Sequence, residues 1–557
     1  MICPSCGYPK PYKFRFDFTN TSRVNEMLRT FAIPTGHSSV FAQMQVDAEE
    51  DVRHYDLEIS ELNRRVLYLE EKKKRLGTHM ERLKSLSAPI RRLPVELLAC
   101  IFGILCEGQP TKFSTMRIMQ SCPPLSLSSV CSAWRQIAID TSSLWCNLRL
   151  AHSARYFVPR FEPPLRLCLA RSKLHPLSVH LFPGAHEDHP LVQLLAEQSS
   201  RWRTVETFDL SEMDFSTFNQ KTFPLLEILR INDCFDDYPH LNFFNSAPRL
   251  HSLKVNRLPE VEALAKFTPR NQITHLEAAC CNGEVVFQEL EMFPNLQSMV
   301  YTELDHTLIP AEVSPQTLAH LNTVEFQLSD NSGYQCSHEH SLLKALMEQL
   351  TFPSLTNLTI KDVHCKGDDE SYFFMGVWPR QTSADFLGRS GCSLQSLHLH
   401  QISLADEDLI ALLMLNTSLV ELQIKEICRA EYNFARCPTA NGTIFEFKDI
   451  ITPKLLTALH AYDNGLALSS PLVPKLESLH FVADGDLFDD ELFWKMVMSR
   501  WLPEKEYALN IGVSSLRSVR ICVLGRALKE DVEQRLRHLE MGGLKVSLRA
   551  TRDDIHD

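Results

Sequence analysis

The sequence is poor in glycine and has no long apolar run. Glycine makes up 19 of 557 residues, about 3% against a usual ~7%, which argues against an enzyme built on glycine-rich phosphate loops. No uninterrupted apolar stretch approaches the roughly 18 residues that a membrane-spanning helix needs. The opening residues, MICPSCGYPKPYKF, contain no apolar segment of a secretory signal. We therefore expect a protein of the cytoplasm, the nucleus or both.

Recognisable catalytic motifs are also missing, and the cysteines do not form a clear metal site. We find no phosphate loop, dinucleotide fingerprint, zinc-protease motif or nucleophile elbow, and so predict no enzyme, no catalytic residue and no cofactor. The 17 cysteines, without a secretory signal, indicate reduced thiols. Cys3 and Cys6 form one CxxC in a flexible tail, residues 1–42, but a structural zinc site needs about four ligands. Two free thiols and a metal-binding pair are the alternatives there.

The net charge of −12 argues against general binding to nucleic acid or to acidic membranes.

The sequence of residues 43–86 predicts one long helix that Pro89 ends. An apolar stripe, interrupted by one lysine, steps alternately by three and four residues through nearly five heptads. Its members are Val52, Tyr55, Ile59, Leu62, Val66, Leu69, Lys73, Leu76, Met80 and Leu83. This stripe fits a homodimeric coiled coil through residues 52–83 as well as a single amphipathic helix that is solvated or packed on its own chain.

Residues 87–145 form the stretch around which the chain is organised. Apolar residues recur at helical spacing after Pro94, a favourable first helical residue, and predict a short helix from Pro94 to Leu105. Such a short helix cannot bury a wide apolar face alone, so it must dock on something. A second apolar helix is predicted at Leu127–Ile139.

The residues of this stretch resemble an F-box. The matching pattern is Leu-Pro-x-Glu-Leu-Leu-x-x-Ile-Phe from Leu93, then Leu-x-x-Val-Cys-x-x-Trp-Arg from Leu127, then a closing Leu-Trp. The F-box is a small all-helical module that docks on the Skp adaptor of cullin–RING (SCF) ubiquitin ligases. The resemblance implies that an adaptor contacts the matched residues, which are Leu93, Pro94, Glu96, Leu97, Ile101, Phe102, Val130, Cys131, Trp134, Arg135, Leu144 and Trp145. We expect this module at residues 87–150, and the long linker Cys106–Cys122 as a surface loop.

Residues 151–557 carry a weak repeated motif of the form Leu-x-x-Leu-x-Ile. It occurs as FPLLEILRI from Phe223 and as FPSLTNLTI from Phe352. Its anchors Leu226, Leu250, Ile273, Leu296 and Leu321 are spaced by 24, 23, 23 and 25 residues, within the 20–29 period of leucine-rich repeats. Later spacings vary, so the sequence predicts an irregular leucine-rich-repeat solenoid. Residues 165–181 predict its first strand pair. The expected fold class is α/β: a long N-terminal helix, the small helical module and this solenoid.

In such repeats the residues between the inward-pointing apolar positions lie on the concave face. The predicted target-binding face is polar and mixed in sign, which suits a protein ligand. Its candidates are Arg230, Lys254, His275, Glu325, Lys361, His398, His400, Lys425, His480 and Arg520. By resemblance, the chain is then a substrate-recognition subunit of an SCF-type ubiquitin ligase, with the Skp-type adaptor, the cullin and an unknown protein target as partners. The alternative is an interaction scaffold whose F-box-like unit serves only as a cap.

Overall fold

The computed structural model describes sixteen stretches of the chain. They are Arg15 and residues 21–30, 38–114, 122–151, 158–181, 189–207, 221–232, 241–256, 258, 261–280, 287–303, 315–328, 342–362, 378–426, 449–462 and 471–549. The chain divides into two compact units, Met1–Leu98 and Ala99–Asp557. Cys3 and Cys6 lie outside the described residues.

The described α-helices are numbered α1 to α16 in chain order. They are Thr21–Thr30, Ser38–Leu86, Val95–Glu107, Pro123–Ser128, Ser132–Asp140, Val158–Arg171, Pro190–Ala196, Val261–Lys266, Phe287–Leu290, Leu342–Gln349, Arg380–Ser390, Asp406–Leu415, Pro453–Ala458, Asp490–Arg500, Lys505–Ile511 and Glu530–Met541. None of these helices combines the length and apolar character needed to cross a membrane.

The described strands are numbered β1 to β17. They are Thr111–Phe113, Asn147–Leu150, Leu177–His180, Trp202–Thr207, Ile228–Ile231, Ser252–Val255, His275–Cys280, Ser298–Glu303, Gln316–Thr317, Thr323–Leu328, Leu350–Thr351, Asn357–Asp362, Ser396–His400, Glu421–Lys425, Ser478–Asp484, Ser518–Leu524 and Lys545–Arg549. Fifteen of them form one parallel sheet in which the strand order follows the sequence order. The two short strands β9 and β11 pair separately.

Most strands of the large sheet have one apolar and one polar side, because successive side chains point to opposite faces. In β15 and β16, Val482, Cys522 and Leu524 form a buried apolar cluster on the otherwise polar side. In β10, Val324, Phe326 and Leu328 are buried, while Glu325 and Gln327 between them are only half-buried. The predicted repeat anchors Leu226, Leu250, Ile273, Leu296 and Leu321 are all buried. A mixed α/β chain with a long N-terminal helix is therefore confirmed, while the leucine-rich-repeat solenoid stays a prediction.

Four local predictions are wrong. Residues 87–150 are not all helical, because β1 and β2 lie within them and pair in parallel. Phe113 of β1 is buried, so the linker is not a surface loop throughout. The predicted helix Leu127–Ile139 is divided between α4 and α5, because Cys131 has an extended backbone and caps α5. The predicted strand pair at 165–181 is half helix, since α6 continues to Arg171.

The long helix α2 runs for 49 residues, and every residue from 52 to 87 is exposed. Near its beginning, the carboxylate of Asp51 accepts a hydrogen bond from the backbone N–H of Arg15 at 2.9 Å. Arg15 also forms an ion pair with Glu50. The predicted helix at 43–86 is confirmed, and its apolar stripe lies on the exposed surface.

The buried carboxylate of Glu426, the residue after β14, links backbone segments that are distant in the sequence. Oε1 of Glu426 accepts hydrogen bonds from the backbone N–H groups of Ile450 at 2.7 Å and Ile451 at 2.6 Å. Oε2 accepts one from the backbone N–H of Asp484 at 2.9 Å. Burial raises the pKa of Glu426 to about 7, with Asp449 adding to the shift and the three amides opposing it. Glu426 thus connects the returning chain to β15.

This raised pKa predicts a pH-dependent stability. Because the pKa of Glu426 is higher in the folded chain than its ordinary value of 4.5, its contribution is fully present below pH 4.5 and is lost as pH rises through 7. Between pH 5 and pH 8 the wild type should lose about 2–3 kcal/mol of unfolding free energy relative to Glu426→Gln. Denaturant unfolding of both proteins across this range measures the difference. Parallel pH profiles would contradict the assignment.

Candidate functional site

The helix α3 carries two apolar faces, of which only one is buried. Phe102 is 1% exposed and Cys106 is also buried. On the other face, Ile101 is 38% exposed, Ile104 is 72% exposed and Leu105 is 51% exposed. These three side chains recur at intervals of three and four residues, so they form one continuous stripe. We call Ile101, Ile104 and Leu105 the exposed α3 face.

The buried side chains of this region hold α3, α5 and the following turn together. The rings of Phe102 and Trp134 lie 4.8 Å apart between centroids, at an angle of 57°. The indole Nε1 of Trp145 donates to the carbonyl oxygen of Ala138 at 2.7 Å. Leu144 and Trp145 are both buried. Phe102, Leu144 and Trp145 were predicted to contact an adaptor, but in this structure they lie in the core and can act on a partner only by positioning exposed neighbours.

The other residues that match the F-box pattern differ in their solvent exposure. Exposed positions are Pro94, Glu96, Leu97, Ile101, Val130 and Arg135, and half-buried ones are Leu93, Cys131 and Trp134. Val130 lies in the turn between α4 and α5. The Cys131 Sγ accepts a hydrogen bond from the backbone N–H of Trp134 at 3.5 Å, which caps α5. Sequence alone could not separate exposed from buried apolar residues here.

The ten predicted target-binding residues share the side of the large sheet opposite its apolar side chains, which we call the polar face. One row of this face crosses all fifteen strands in register. It reads Lys112, Arg149, His180, Glu206, Arg230, Lys254, Glu277, Val300, Glu325, Thr359, His398, Gln423, His480, Arg520 and Ser547. Lys361, His400 and Lys425 lie in the next row, and His275 in the preceding one. The structure thus brings all ten to one face.

Many charges of the polar face are already paired. Lys254 forms an ion pair with Glu277, and Lys361 pairs with Glu325. His398 Nε2 lies 3.5 Å from an oxygen of Glu421. Burial lowers the pKa of His398, although this carboxylate opposes the shift. Such cross-strand pairs stabilise a sheet by about 0.2–1 kcal/mol each, so their first role is to hold neighbouring strands in register.

The sequence patterns did not predict the part of the polar face before Arg230. Arg149 and His180 lie on β2 and β3, and His180 Nδ1 lies 3.0 Å from Oε2 of Glu206. Burial lowers the pKa of His180, and Glu206 opposes this effect. The predicted strand pair at residues 165–181 included LSVH, residues 177–180, but its polar positions were not assigned to the target-binding face.

Comparison with models of known protein families gives no match, and a search of curated proteins finds none with significant similarity. The described residues contain no group of three or more histidine, cysteine, aspartate or glutamate side chains placed to hold a metal ion. The candidate site consists of the exposed α3 face and the polar face of the sheet. Both are surfaces suited to macromolecular contact.

Proposed function

We propose that this protein is a substrate-recognition subunit of an SCF-type cullin–RING ubiquitin ligase. Its F-box-like module docks on the Skp adaptor through α3, and its repeats form an irregular leucine-rich-repeat solenoid that binds a protein target. The observation that carries the proposal is the exposed α3 face, because three large aliphatic side chains on one helix face are the anchors of helix-in-groove recognition. The matched F-box pattern supplies the identity of the partner.

The energetics favour a covered α3 face. Full burial of an Ile or Leu side chain stabilises by about 1.5–3 kcal/mol. Ile101, Ile104 and Leu105 are partly exposed, so an adaptor that covers them gains on the order of 3 kcal/mol from this face alone. The opposite side of α3 is fixed by the packing of Phe102 on Trp134, which presents the three side chains on a rigid support.

The proposed catalytic contribution is proximity. The polar face holds a target while the adaptor and cullin hold the ubiquitin-charged enzyme. The effective concentration of target lysines near that enzyme then rises, without any covalent step on this chain. The mixed-sign polar residues from Arg230 to Arg520 provide hydrogen-bonding groups for a protein ligand, and the proposed target is a protein whose identity the chain does not encode.

Affinity purification tests this proposal. The tagged full-length chain, expressed in cells, should co-purify with a Skp-type adaptor and a cullin. Candidate targets should accumulate on it only when the proteasome is inhibited. A folded wild-type chain that captures neither adaptor nor cullin would overturn the ligase assignment.

A second candidate is an interaction scaffold in which the F-box-like unit is only a cap. One observation favours it: β1 belongs to this unit and forms the first strand of the large sheet, paired with β2. Because β2 also lies within residues 87–150, the unit supplies both strands and covers the edge of β3, whose free backbone groups otherwise invite pairing with other chains. The same purification separates the candidates, because a scaffold retains other partners while the adaptor and cullin are absent.

We further propose that α2 forms a parallel coiled coil with a second copy of this chain. In its heptads, the a positions hold Val52, Ile59, Val66, Lys73 and Met80, and leucine occupies four of the five d positions. β-Branched residues at a with leucine at d favour two-stranded parallel coiled coils. Arg65 and Glu70 fall at g and e, where a parallel partner helix pairs them. The whole stripe lies exposed on the described helix.

A charge in the α2 stripe should prevent dimerisation. Leu69, at a d position of the stripe, is 50% exposed, and Leu67, at a b position outside the stripe, is 66% exposed. Leu67 therefore serves as the control position for Leu69. In sedimentation equilibrium, Leu69→Asp should raise the dimer dissociation constant at least about 100-fold, because each dimer loses two buried leucines. Leu67→Asp should leave it within about threefold. A wild type that is monomeric at all concentrations contradicts the dimer.

A further inference from the structure

Three basic side chains meet on adjacent strands of the polar face. Lys361 of β12, His400 of β13 and Lys425 of β14 are register partners. Neighbouring strands lie about 4.8 Å apart, so these side chains occupy one continuous row. Gln327 of β10 and Val482 of β15 flank them in that row. We call Lys361, His400 and Lys425 the basic triplet.

The basic triplet is unfavourable for the free chain. Lys361 and Lys425 lie two strands apart on either side of His400, and their like charges repel each other. Burial, and then the charge of Lys361, lowers the pKa of Lys425. Burial is also the main cause that lowers the pKa of His400 to about 3. The neighbouring basic groups lower it further, in the order Lys425, His398, Lys361 and His480.

The nearby acids neutralise only one end of the triplet. Glu325 pairs with Lys361 at one end of it. Glu426 follows Lys425 in the chain, but its carboxylate accepts three backbone hydrogen bonds. Among the residues that the structure describes, Lys425 has no acidic partner. The Nε2 atom of His400 is buried and has no hydrogen-bond partner in the same part of the chain. The charged Lys425 and the unpartnered Nε2 atom of His400 therefore lie on neighbouring strands at register positions.

We propose that the basic triplet binds an anionic group, a carboxylate or a phosphate, on an acidic peptide segment of a target protein. This inference rests on the proposed function only in taking the peptide to be part of a ligase target. The bound oxygens accept charge-assisted hydrogen bonds from Nζ of Lys361 and Nζ of Lys425. Binding relieves the repulsion within the triplet, so the fold and the ligand stabilise each other.

A peptide fits this site better than a nucleic acid does. Glu325 and Glu421 lie on the same face, and they repel a continuous phosphate backbone that follows the row. A short acidic segment needs only the three positions of the triplet. Flanking residues such as Gln423 and Val482 then contact uncharged parts of the peptide.

The test titrates the full-length chain with hexaglutamate, hexaglutamine and inorganic phosphate by calorimetry at low and physiological salt. Hexaglutamate should bind and hexaglutamine should not. Lys425→Gln should weaken hexaglutamate binding at least about tenfold, the loss of one charge-assisted bond. Its melting temperature should equal or exceed that of the wild type, because an unpaired charge is removed. Lys495→Gln, the same charge change at an exposed lysine of α14, should leave the affinity within about twofold.

Three results overturn the inference. One is the absence of hexaglutamate binding, or equal binding of hexaglutamine. Another is equal weakening by Lys425→Gln and Lys495→Gln, which indicates that only the overall charge of the chain matters. The third is binding of phosphate without hexaglutamate, which assigns the site to a free small anion. Adaptor capture does not use this face, so a chain that captures the adaptor but ignores hexaglutamate contradicts this inference alone.

Discussion

The double variant Ile101→Asp/Ile104→Asp is expected to lose adaptor binding by at least about 100-fold while the chain stays folded. Ile104 is 72% exposed, so an aspartate there meets water in the free chain and costs little stability. In the adaptor complex the same carboxylates are desolvated without a partner, and two apolar anchors are lost. Calorimetric titration of purified adaptor into wild-type and variant chains measures the change.

A matched control separates this effect from general surface damage. Leu509 is 80% exposed on the short helix α15, away from α3 in the sequence. Leu509→Asp should leave adaptor affinity within about twofold. The two variant proteins should also melt within a few degrees of the wild type. If Ile101→Asp/Ile104→Asp binds the adaptor as well as Leu509→Asp does, the exposed α3 face is not the docking surface.

Arg500→Leu is expected to lower the free energy of unfolding by about 4 kcal/mol. Arg500 ends α14 and is completely buried, and it has no acidic partner among the residues that the structure describes. Its guanidinium donates to the carbonyl oxygens of Leu459, Leu472 and Val473, the last at 3.1 Å. Replacement by leucine leaves three buried acceptors without a donor, at about 1–3 kcal/mol each. Burial lowers the pKa of Arg500 to about 10, so the side chain stays charged at neutral pH.

The backbone around this arginine makes the effect larger than a simple loss of contacts. Val473 has φ of 41°, a left-handed conformation that is strained for a β-branched residue. The hydrogen bond from Nη1 of Arg500 to the Val473 carbonyl helps to hold it. Arg517 is exposed and paired with Glu477, so Arg517→Leu should change stability by less than about 1 kcal/mol. Urea unfolding of both variants measures the contrast, and equal losses contradict this role of Arg500.

Sequence patterns predicted those parts of the fold that depend on periodic apolar residues. The heptads located α2, and the apolar residues after Pro94 located α3. The repeat anchors from Leu226 to Leu321 are all buried. Each of these predictions depends on many apolar residues that recur with one period, so a single exception such as Lys73 did not obscure the pattern.

The failures come from features with no period. The strand β1 has three residues, too few for an alternating pattern. The break between α4 and α5 depends on the backbone of Cys131 alone. Buried charges were not predicted, because Glu426 and Arg500 are satisfied by backbone groups of distant residues. Of two adjacent apolar residues in α3, Ile101 is exposed and Phe102 is buried, a difference that only the packing decides.

The most direct test of the central proposal is a titration of the purified full-length wild-type chain with purified Skp-type adaptor. The account predicts a complex of one adaptor per chain with a dissociation constant below about 1 μM. Adaptor protection of α3 from hydrogen exchange should accompany binding. A wild-type chain that melts cooperatively yet shows no binding at about 100 μM adaptor would contradict the account.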